Sequence, residues 1–366
     1  MIPLYKPYVG KKEVDAILRV LKSGKLTRGK EVEDFERDFA IYTKQKYAIA
    51  VNSGTSGLHL AVRAMGWKAG DEVITTPFSF IASSNSLLFE GIKPVFVDID
   101  PKTLNIDVNK IEEKITKKTK GILLVHIFGL PVDGSVIKKL KKKYNLGIIE
   151  DACEIIGRPD DIWNETRVGD ISVYSFHENK QLTTGGEGGM ITTNDAELAK
   201  KCRSMREHGK STEKNWIENV ILGYNYRMTE IQAAFGGAQL KSLDDILKKG
   251  EETARKYSSL LNGTDKVLTP HNLSNSKRSW FTYFILFKNP ADRETVHKTL
   301  FESNIGSSTN YFPPIHKFPA HKKHGKGEYP HTESISQRLL ALPLFYEISE
   351  EQIAKVASTI KKILAK

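Results

Sequence analysis

The sequence predicts an α/β protein: a mainly parallel sheet covered by helices, followed by a smaller C-terminal unit mixing helix and strand. Strand-like and helical segments alternate from about residue 47 to residue 176, the order produced by parallel strands joined through crossover helices. The chain has 366 residues, whereas a single hydrophobic core stops growing at roughly 250 to 300 residues. Beyond Gly263 the pattern changes to an aromatic strand, Trp280–Phe287 (WFTYFILF), and a terminal amphipathic helix. These observations place a large domain over 1–245, N-terminal helices included, and a small one over 246–366.

The elements follow in order. Val14, Ile17, Leu18 and Leu21 recur at helical spacing and Ser23-Gly24 ends that helix; a second runs from Glu31 to about Tyr42 with Val32, Phe35 and Phe39 on its buried face. Tyr47–Val51 (YAIAV) is a short buried strand running into Asn52-Ser53-Gly54-Thr55-Ser56-Gly57, with a helix over Leu58–Met65. A strand, turn and helix in this order offers free N–H groups and a positive dipole end to a phosphate. A plain helix cap accounts for the same residues, and the turn is neither a Walker loop nor a dinucleotide fingerprint. Next come a strand over Glu72–Thr76, a helix over Ile81–Glu90, a strand over Pro94–Asp98 and a Lys-rich helix from about Asn109. Strands at Gly121–Val125 and Gly147–Ile149 flank another helix, and a polar insertion, 158–169, precedes the alternating strand Asp170–Phe176. Helices follow over 225–240, 244–261 and 293–303, the first interrupted by Gly236-Gly237, where each glycine costs roughly 1 kcal/mol of helix propensity and points to close packing. Asn310–His316 reads as a rigid loop and His321–His331 as a polar, mobile one. The last helix, Glu350–Leu364, carries Ile353, Val356, Ile360 and Ile363 on one face.

Composition narrows the function classes. With 39% hydrophobic and 27% charged residues the chain is ordinary for a globular protein, not a disordered one. No stretch approaches the ~20 apolar residues that span a bilayer and the first residues lack a signal-peptide run, so we expect a cytoplasmic protein without membrane association. Cys153 and Cys202 lack CxxC spacing and suit a reducing compartment. The net charge of +11 raises the question of nucleic acid. The densest basic run, Lys138–Lys143, lies on an amphipathic helix, however, and no nucleic-acid-binding signature is present, so none is expected to bind. His316, His321, His324 and His331 form no recognisable ligand set, and no metal is expected.

Ligands of parallel sheets bind beyond the carboxyl ends of the strands. Phe80 and Asp151 stand at two such ends, and the stretch Ser175–Gly189 (SFHENKQLTTGGEGG) puts Lys180 at a third. A lysine amine acts as a nucleophile only when part of it is deprotonated, through desolvation or neighbouring positive charge. An isolated lysine is usually a solvated side chain, and Asp151 alone could be a helix cap or turn acid facing no ligand. Convergence of turn, aromatic ring, acid and lysine at one edge is the stronger signal.

These residues, in this order, resemble the DegT/DnrJ/EryC1/StrS family of sugar aminotransferases, over nearly the whole chain. The matching motifs are Ser23-Gly24-Lys25-Leu26-Thr27, Asn52-Ser53-Gly54-Thr55, Gly70-Asp71-Glu72-Val73-Ile74, Pro94-Val95-Phe96-Val97-Asp98, Glu150-Asp151-Ala152, Ser175-Phe176, Lys180 with Gly186-Glu187-Gly188-Gly189, Gly223-Tyr224-Asn225-Tyr226-Arg227-Met228 and Pro313-Pro314-Ile315-His316. The resemblance implies the type I fold of pyridoxal-phosphate enzymes, with a mainly parallel seven-stranded sheet. It implies that Lys180 is the Schiff-base lysine and proton carrier and that Asp151 pairs with the pyridinium nitrogen. Phe80 would stack on the ring, while Gly54, Thr55 and Ser175 hold the phosphate, joined by Asn225 of a second subunit in a homodimer with shared sites. Arg227 and His316 would lie on the substrate side. Glu154 stands near the cofactor's 3′ oxygen, where many members have histidine or glutamine, and resembles the subgroup that aminates C4 of sugars, perosamine synthases included. Related dehydratases carry histidine at the lysine position; this chain has Lys180. The activity implied is transfer of an amino group from glutamate to a keto group of a nucleotide-linked deoxy sugar. The rivals are a cyclitol ketone, an aminobenzoate-type precursor, or a sensor of the same fold without turnover.

Overall fold

The computed structural model describes residues 1–163, 167–211, 218–270 and 277–365. Helices α1 (Lys11–Ser23) and α2 (Lys30–Thr43) lead into β1 (Tyr47–Val51), α3 (Gly54–Ala64), β2 (Glu72–Thr75), α4 (Ala82–Leu88) and β3 (Lys93–Phe96). Then come β4 (Thr119–Val125), α5 (Gly134–Tyr144), β5 (Gly147–Asp151), β6 (Ile171–Ser175), β7 (Gly189–Thr193) and α6 (Ala196–Arg206). The chain continues through α7 (Glu230–Leu240), α8 (Leu243–Leu261), β8 (Val267–Leu268), β9 (Tyr283–Phe287), α9 (Pro290–Glu302), α10 (Pro330–Arg338), β10 (Leu339–Leu342) and α11 (Glu350–Leu364).

The first seven strands form one sheet in the order β1-β7-β6-β5-β4-β2-β3. Only β7 runs against its neighbours β1 and β6; the other pairings are parallel. The parallel strands are buried on both faces, as crossover helices require. Ile149, Ile171, Val173 and Ile191 pack on one face with Leu58 and Val62 of α3, while Ile74, Ile122, Leu124 and Ile148 meet Ile137 and Leu140 of α5 on the other. The carboxyl ends of β5 and β6, Asp151 and Ser175, therefore emerge side by side at one edge.

A second, antiparallel sheet, β10-β9-β8, packs with α8, α9 and α11 around Tyr257, Tyr283, Val296 and Val356. Ile2 joins that core through a bridge to Ile305, and residue 245 falls within the first turn of α8.

Some expectations change. The helix after β1 starts at Gly54, not Leu58, because Ser53 caps it: its Oγ accepts from Ser56 N–H at 3.1 Å. The Lys-rich segment from Asn109 is two 3-10 turns, Val108–Lys110 and Glu112–Lys114. Thr116 closes it by bonding to Glu72 at 2.7 Å, leaving too few residues for a helix, since short helices are marginal. His321 is wholly buried in the stretch read as mobile and polar, its Nε2 2.8 Å from Asn85 Oδ1; Asp98 also accepts from His331 N–H and Thr332 N–H there. Within the polar insertion Ile162 and Trp163 are buried, and residues 164–166 lie outside the described residues. Close packing does explain Gly236, where a Cβ would come 2.7 Å from Thr184 Cγ2 and 2.8 Å from the Phe35 ring; Gly237 faces open space. Cys153 and Cys202 are free thiols. Among the described residues no helix is long and apolar enough to cross a membrane.

Candidate active site

A cavity of ≈ 390 Å³ opens at the carboxyl edge of the large sheet. Gly54, Thr55, Phe80, Asp151, Glu154, Ser175 and Lys180 all line it, so seven of the residues singled out from the sequence meet in one place. Asn225, Arg227 and His316 do not line it. Asn225 is exposed on a strip that lies along the end of α6 through bonds of Tyr224 N–H to Met205 O and Tyr226 N–H to Arg206 O. His316 is buried beside Tyr329, its Nε2 3.0 Å from Glu333 Oε1. Burial lowers its pKa, with Glu333 opposing.

Each wall has a local cause. The first turn of α3 comes to within contact of β6: a Cβ on Gly54 would sit 2.8 Å from Ser175 Cβ and 3.1 Å from Cys153 Sγ. Glycine is required there by space. Asp151 ends β5 almost fully buried, and both carboxylate oxygens are held: Ser83 O–H donates to Oδ2 at 2.7 Å and Cys153 N–H to Oδ1 at 3.1 Å. Lys180 follows a turn closed by its own N–H to His177 O at 2.9 Å, and its Nζ lies 3.9 Å from the centre of the Phe281 ring. Phe80 presents its ring to the cavity with 63% of the residue exposed, a flat apolar face available for stacking.

Glu154 makes the remaining polar wall. Phe128 N–H donates to its Oε2 at 2.7 Å, and Tyr311 O–H donates to its Oε1. Burial raises its pKa to about 7, against the lowering effect of Lys180 and of the Phe128 N–H. Burial also raises the Cys153 thiol well above its ordinary value, which keeps it protonated and unreactive.

Sequence reasoning missed Ser83, Phe128, Cys153, Tyr311 and the cavity-lining His177, Asn179 and Glu187. Ser83 left a local trace: with Ser79 it forms an i, i+4 pair, hydroxyls 2.8 Å apart. Phe128 and Tyr311 left none, being far from Glu154 in the chain.

The model of the DegT/DnrJ/EryC1/StrS aminotransferase family matches residues 7–361. The chain belongs to this family. It is 36% identical to the GDP-perosamine synthase of Escherichia coli O157:H7 over 99% of this chain and 98% of that one. It is also 36% identical to the dTDP-3-amino-3,6-dideoxy-alpha-D-galactopyranose transaminase of Aneurinibacillus thermoaerophilus, over 95% and 94%. Among solved structures, NtdA from Bacillus subtilis with bound cofactor PMP superposes with a TM-score of 0.90 at 32% identity, covering 98% of this chain and 83% of that one. The chain is thus an aminotransferase, and its sheet is that of the type I pyridoxal-phosphate fold.

The aminotransferase's cavity fits the cofactor of its family. Pyridoxal phosphate is a flat ring with a phosphate at one end, a basic ring nitrogen and a reactive aldehyde. The cavity offers a helix start at Gly54 and Thr55 beside the Ser175 hydroxyl, a buried carboxylate at Asp151, an apolar face at Phe80 and an amine at Lys180. Its volume is within the range of small-molecule sites, roughly 300 to 1,000 Å³.

Proposed function

We propose that this aminotransferase moves an amino group from glutamate to a keto group of a nucleotide-linked deoxy sugar, and that Lys180 and Asp151 are its catalytic residues. The observation that carries the reading is the meeting of Lys180, Asp151, Phe80 and the Gly54–Thr55 helix start in one cavity. Relatives at 36% identity carry names that specify sugars on GDP and on dTDP, which supports a nucleotide-linked sugar while leaving the nucleotide to experiment. Glu154 favours amination at C4, in the manner of the perosamine synthases.

Bound at this site, pyridoxal phosphate supplies an electron sink that lets a proton leave the carbon bearing the amino group. The residues divide the remaining work. Gly54, Thr55 and Ser175 would hold the phosphate at the positive end of α3. Asp151 would pair with the ring nitrogen, and the Ser83 hydroxyl and Cys153 N–H hold its oxygens. Phe80 would cover one ring face. Lys180, whose Nζ lies over the Phe281 ring, would hold the cofactor through that amine and carry the proton. We further place the exposed Asn225 toward the site of a second copy in a homodimer and Arg227 on the substrate side, whereas His316 is buried within its own chain against Tyr329 and Glu333.

Borohydride reduction of the purified protein, followed by peptide mapping, should fix the cofactor on Lys180. Lys180→Ala should lower turnover with glutamate and a panel of GDP-, dTDP- and UDP-linked keto sugars by roughly 10³-fold or more while circular dichroism stays unchanged. Substantial residual transfer in that variant, or no spectral response of the wild type to glutamate, would sink the proposal and favour a binder without turnover.

A further inference from the structure

Glu154 is held in an unusual way. Its two oxygens accept from Phe128 N–H and Tyr311 O–H, and both donor residues are non-glycine residues in the left-handed region, Phe128 at φ 50° and Tyr311 at φ 61°. For a bulky residue that backbone costs about 1 kcal/mol or more, so the surroundings must hold each in place. Their rings stack on each other, 5.4 Å apart and inclined by 12°, and Phe78 meets Tyr311 edge-on at 5.2 Å. Tyr311 comes from a segment far along the chain, tied at one end to β10 by Ser308 and Ala341 and at the other by Ile315 N–H to Pro77 O at 3.0 Å. Behind Phe128, the buried Arg278 donates to the carbonyls of Ile127 and Phe128 at 3.3 and 3.0 Å.

We propose that Tyr311 is the positioning residue of the Glu154 carboxyl, and that its hydroxyl lets the seating of the 308–316 segment set the charge on the cavity wall beside Lys180. The groups bearing on Glu154 are Lys180, Arg278 and the Phe128 N–H, which favour its charge, Asp151, which opposes it, the Cys153 thiol, and the Tyr311 hydroxyl. Arg278 also comes from the side of the second sheet, on the connection before β9, but it bonds the Ile127 and Phe128 carbonyls; Tyr311, on the segment tied to β10, bonds a Glu154 oxygen itself, so the position of that segment is transmitted to a proton at a stated oxygen. A hydroxyl donor stabilises the carboxylate form, so losing it raises the proton affinity of Glu154. Its consequence for catalysis rests on the cofactor reading given above; the hydrogen bond itself does not.

The test is a carboxyl titration by ¹³C NMR with selectively labelled glutamate, the Glu154 signal being identified by its loss in Glu154→Gln, on protein with and without added pyridoxal phosphate. Wild-type Glu154 should titrate near its raised value of about 7. Tyr311→Phe keeps the ring stack and removes only the hydroxyl, and should move that midpoint upward by about one pH unit. An unmoved midpoint overturns the proposal. Urea unfolding of the same variant gives a second reading: the loss of stability should be larger at pH 8 than at pH 5, and an equal loss at both would mean a merely structural tyrosine. Should the cofactor reading be wrong, the wild-type titration will be the same with and without pyridoxal phosphate, while the Tyr311→Phe shift persists.

Discussion

Asp151 and Glu154 stand three residues apart on one cavity wall, both nearly fully buried, yet they are supported from opposite directions. Asp151 is held from within the large sheet's own architecture, by Ser83 on α4 and by the Cys153 N–H two residues on. Glu154 takes its hydroxyl partner, Tyr311, from beyond α9, and its other donor, Phe128, leans on Arg278 from the connection before β9. A carboxylate fixed by neighbours in its own unit is constant whatever the second unit does. One whose partner is delivered across the molecule can respond to it. Asp151 is therefore suited to a fixed position in the proposed cofactor site, and Glu154 to a charge that changes.

The sharpest break between the two should come from neutral replacements of equal shape. Asp151→Asn removes the charge proposed to face the ring nitrogen and should lower kcat/KM by roughly 10³-fold, about 4 kcal/mol. Glu154→Gln should cost no more than about tenfold, because an amide still accepts from Phe128 N–H and donates to the Tyr311 oxygen. Steady-state kinetics on the two variants decides it: equal losses would erase the distinction.

A smaller effect lies in stability against pH. The Glu154 carboxyl has its pKa raised from 4.5 to about 7 by burial, so its protonated form is the one the fold prefers. The contribution is fully present below about pH 4.5 and is lost as pH rises through 7, since the unfolded chain then releases a proton that the folded one retains. The difference corresponds to roughly 3 kcal/mol. Glu154→Gln should accordingly unfold at higher urea than wild type at pH 8, with the gap closing toward pH 5. A gap that widened on acidification would have the sign wrong and would mean that the carboxylate is the form the fold stabilises.

The same contrast governs what could be read from the chain. Asp151, Phe80, Ser175 and Lys180 lie at the ends of strands or on the turns after them, so local pattern plus the rule that ligands gather at carboxyl edges brought them together. The Ser53 cap extended α3 back to Gly54 by the same local chemistry. Glu154 could be singled out only through the family resemblance, and its supports could not be read at all: Phe128 lies 26 residues away and Tyr311 157. Nothing in the composition around Tyr311 announces which buried acid it will meet. His321 misled for a related reason: lysines and histidines around it read as solvated, yet Asn85 and the Phe96 ring wait for it in another part of the chain. The exposed Asn225 belongs to a third class, residues whose proposed role needs a second copy that a single sequence does not display.

The mildest expected effect tests whether Asp151 is as self-contained as its surroundings suggest. The Ser83 hydroxyl donates to Asp151 Oδ2 at 2.7 Å and pairs with Ser79 Oγ at 2.8 Å, so Ser83→Ala removes one of two donors to the carboxylate while the Cys153 N–H remains. A hydrogen bond to a charged group contributes about 1.5 to 3 kcal/mol, and the Ser79 hydroxyl, four residues earlier, can turn to recover part of it. The net loss should be near 1.4 kcal/mol, roughly a tenfold weaker hold on pyridoxal phosphate in equilibrium dialysis. Tyr311→Phe in the same assay should change retention less than Ser83→Ala does, because its effect reaches Glu154 and not Asp151. If removing Tyr311's hydroxyl loosened the cofactor as much as removing Ser83's, the two carboxylates would form one coupled unit, and the division between a fixed acid and a responsive one would not hold.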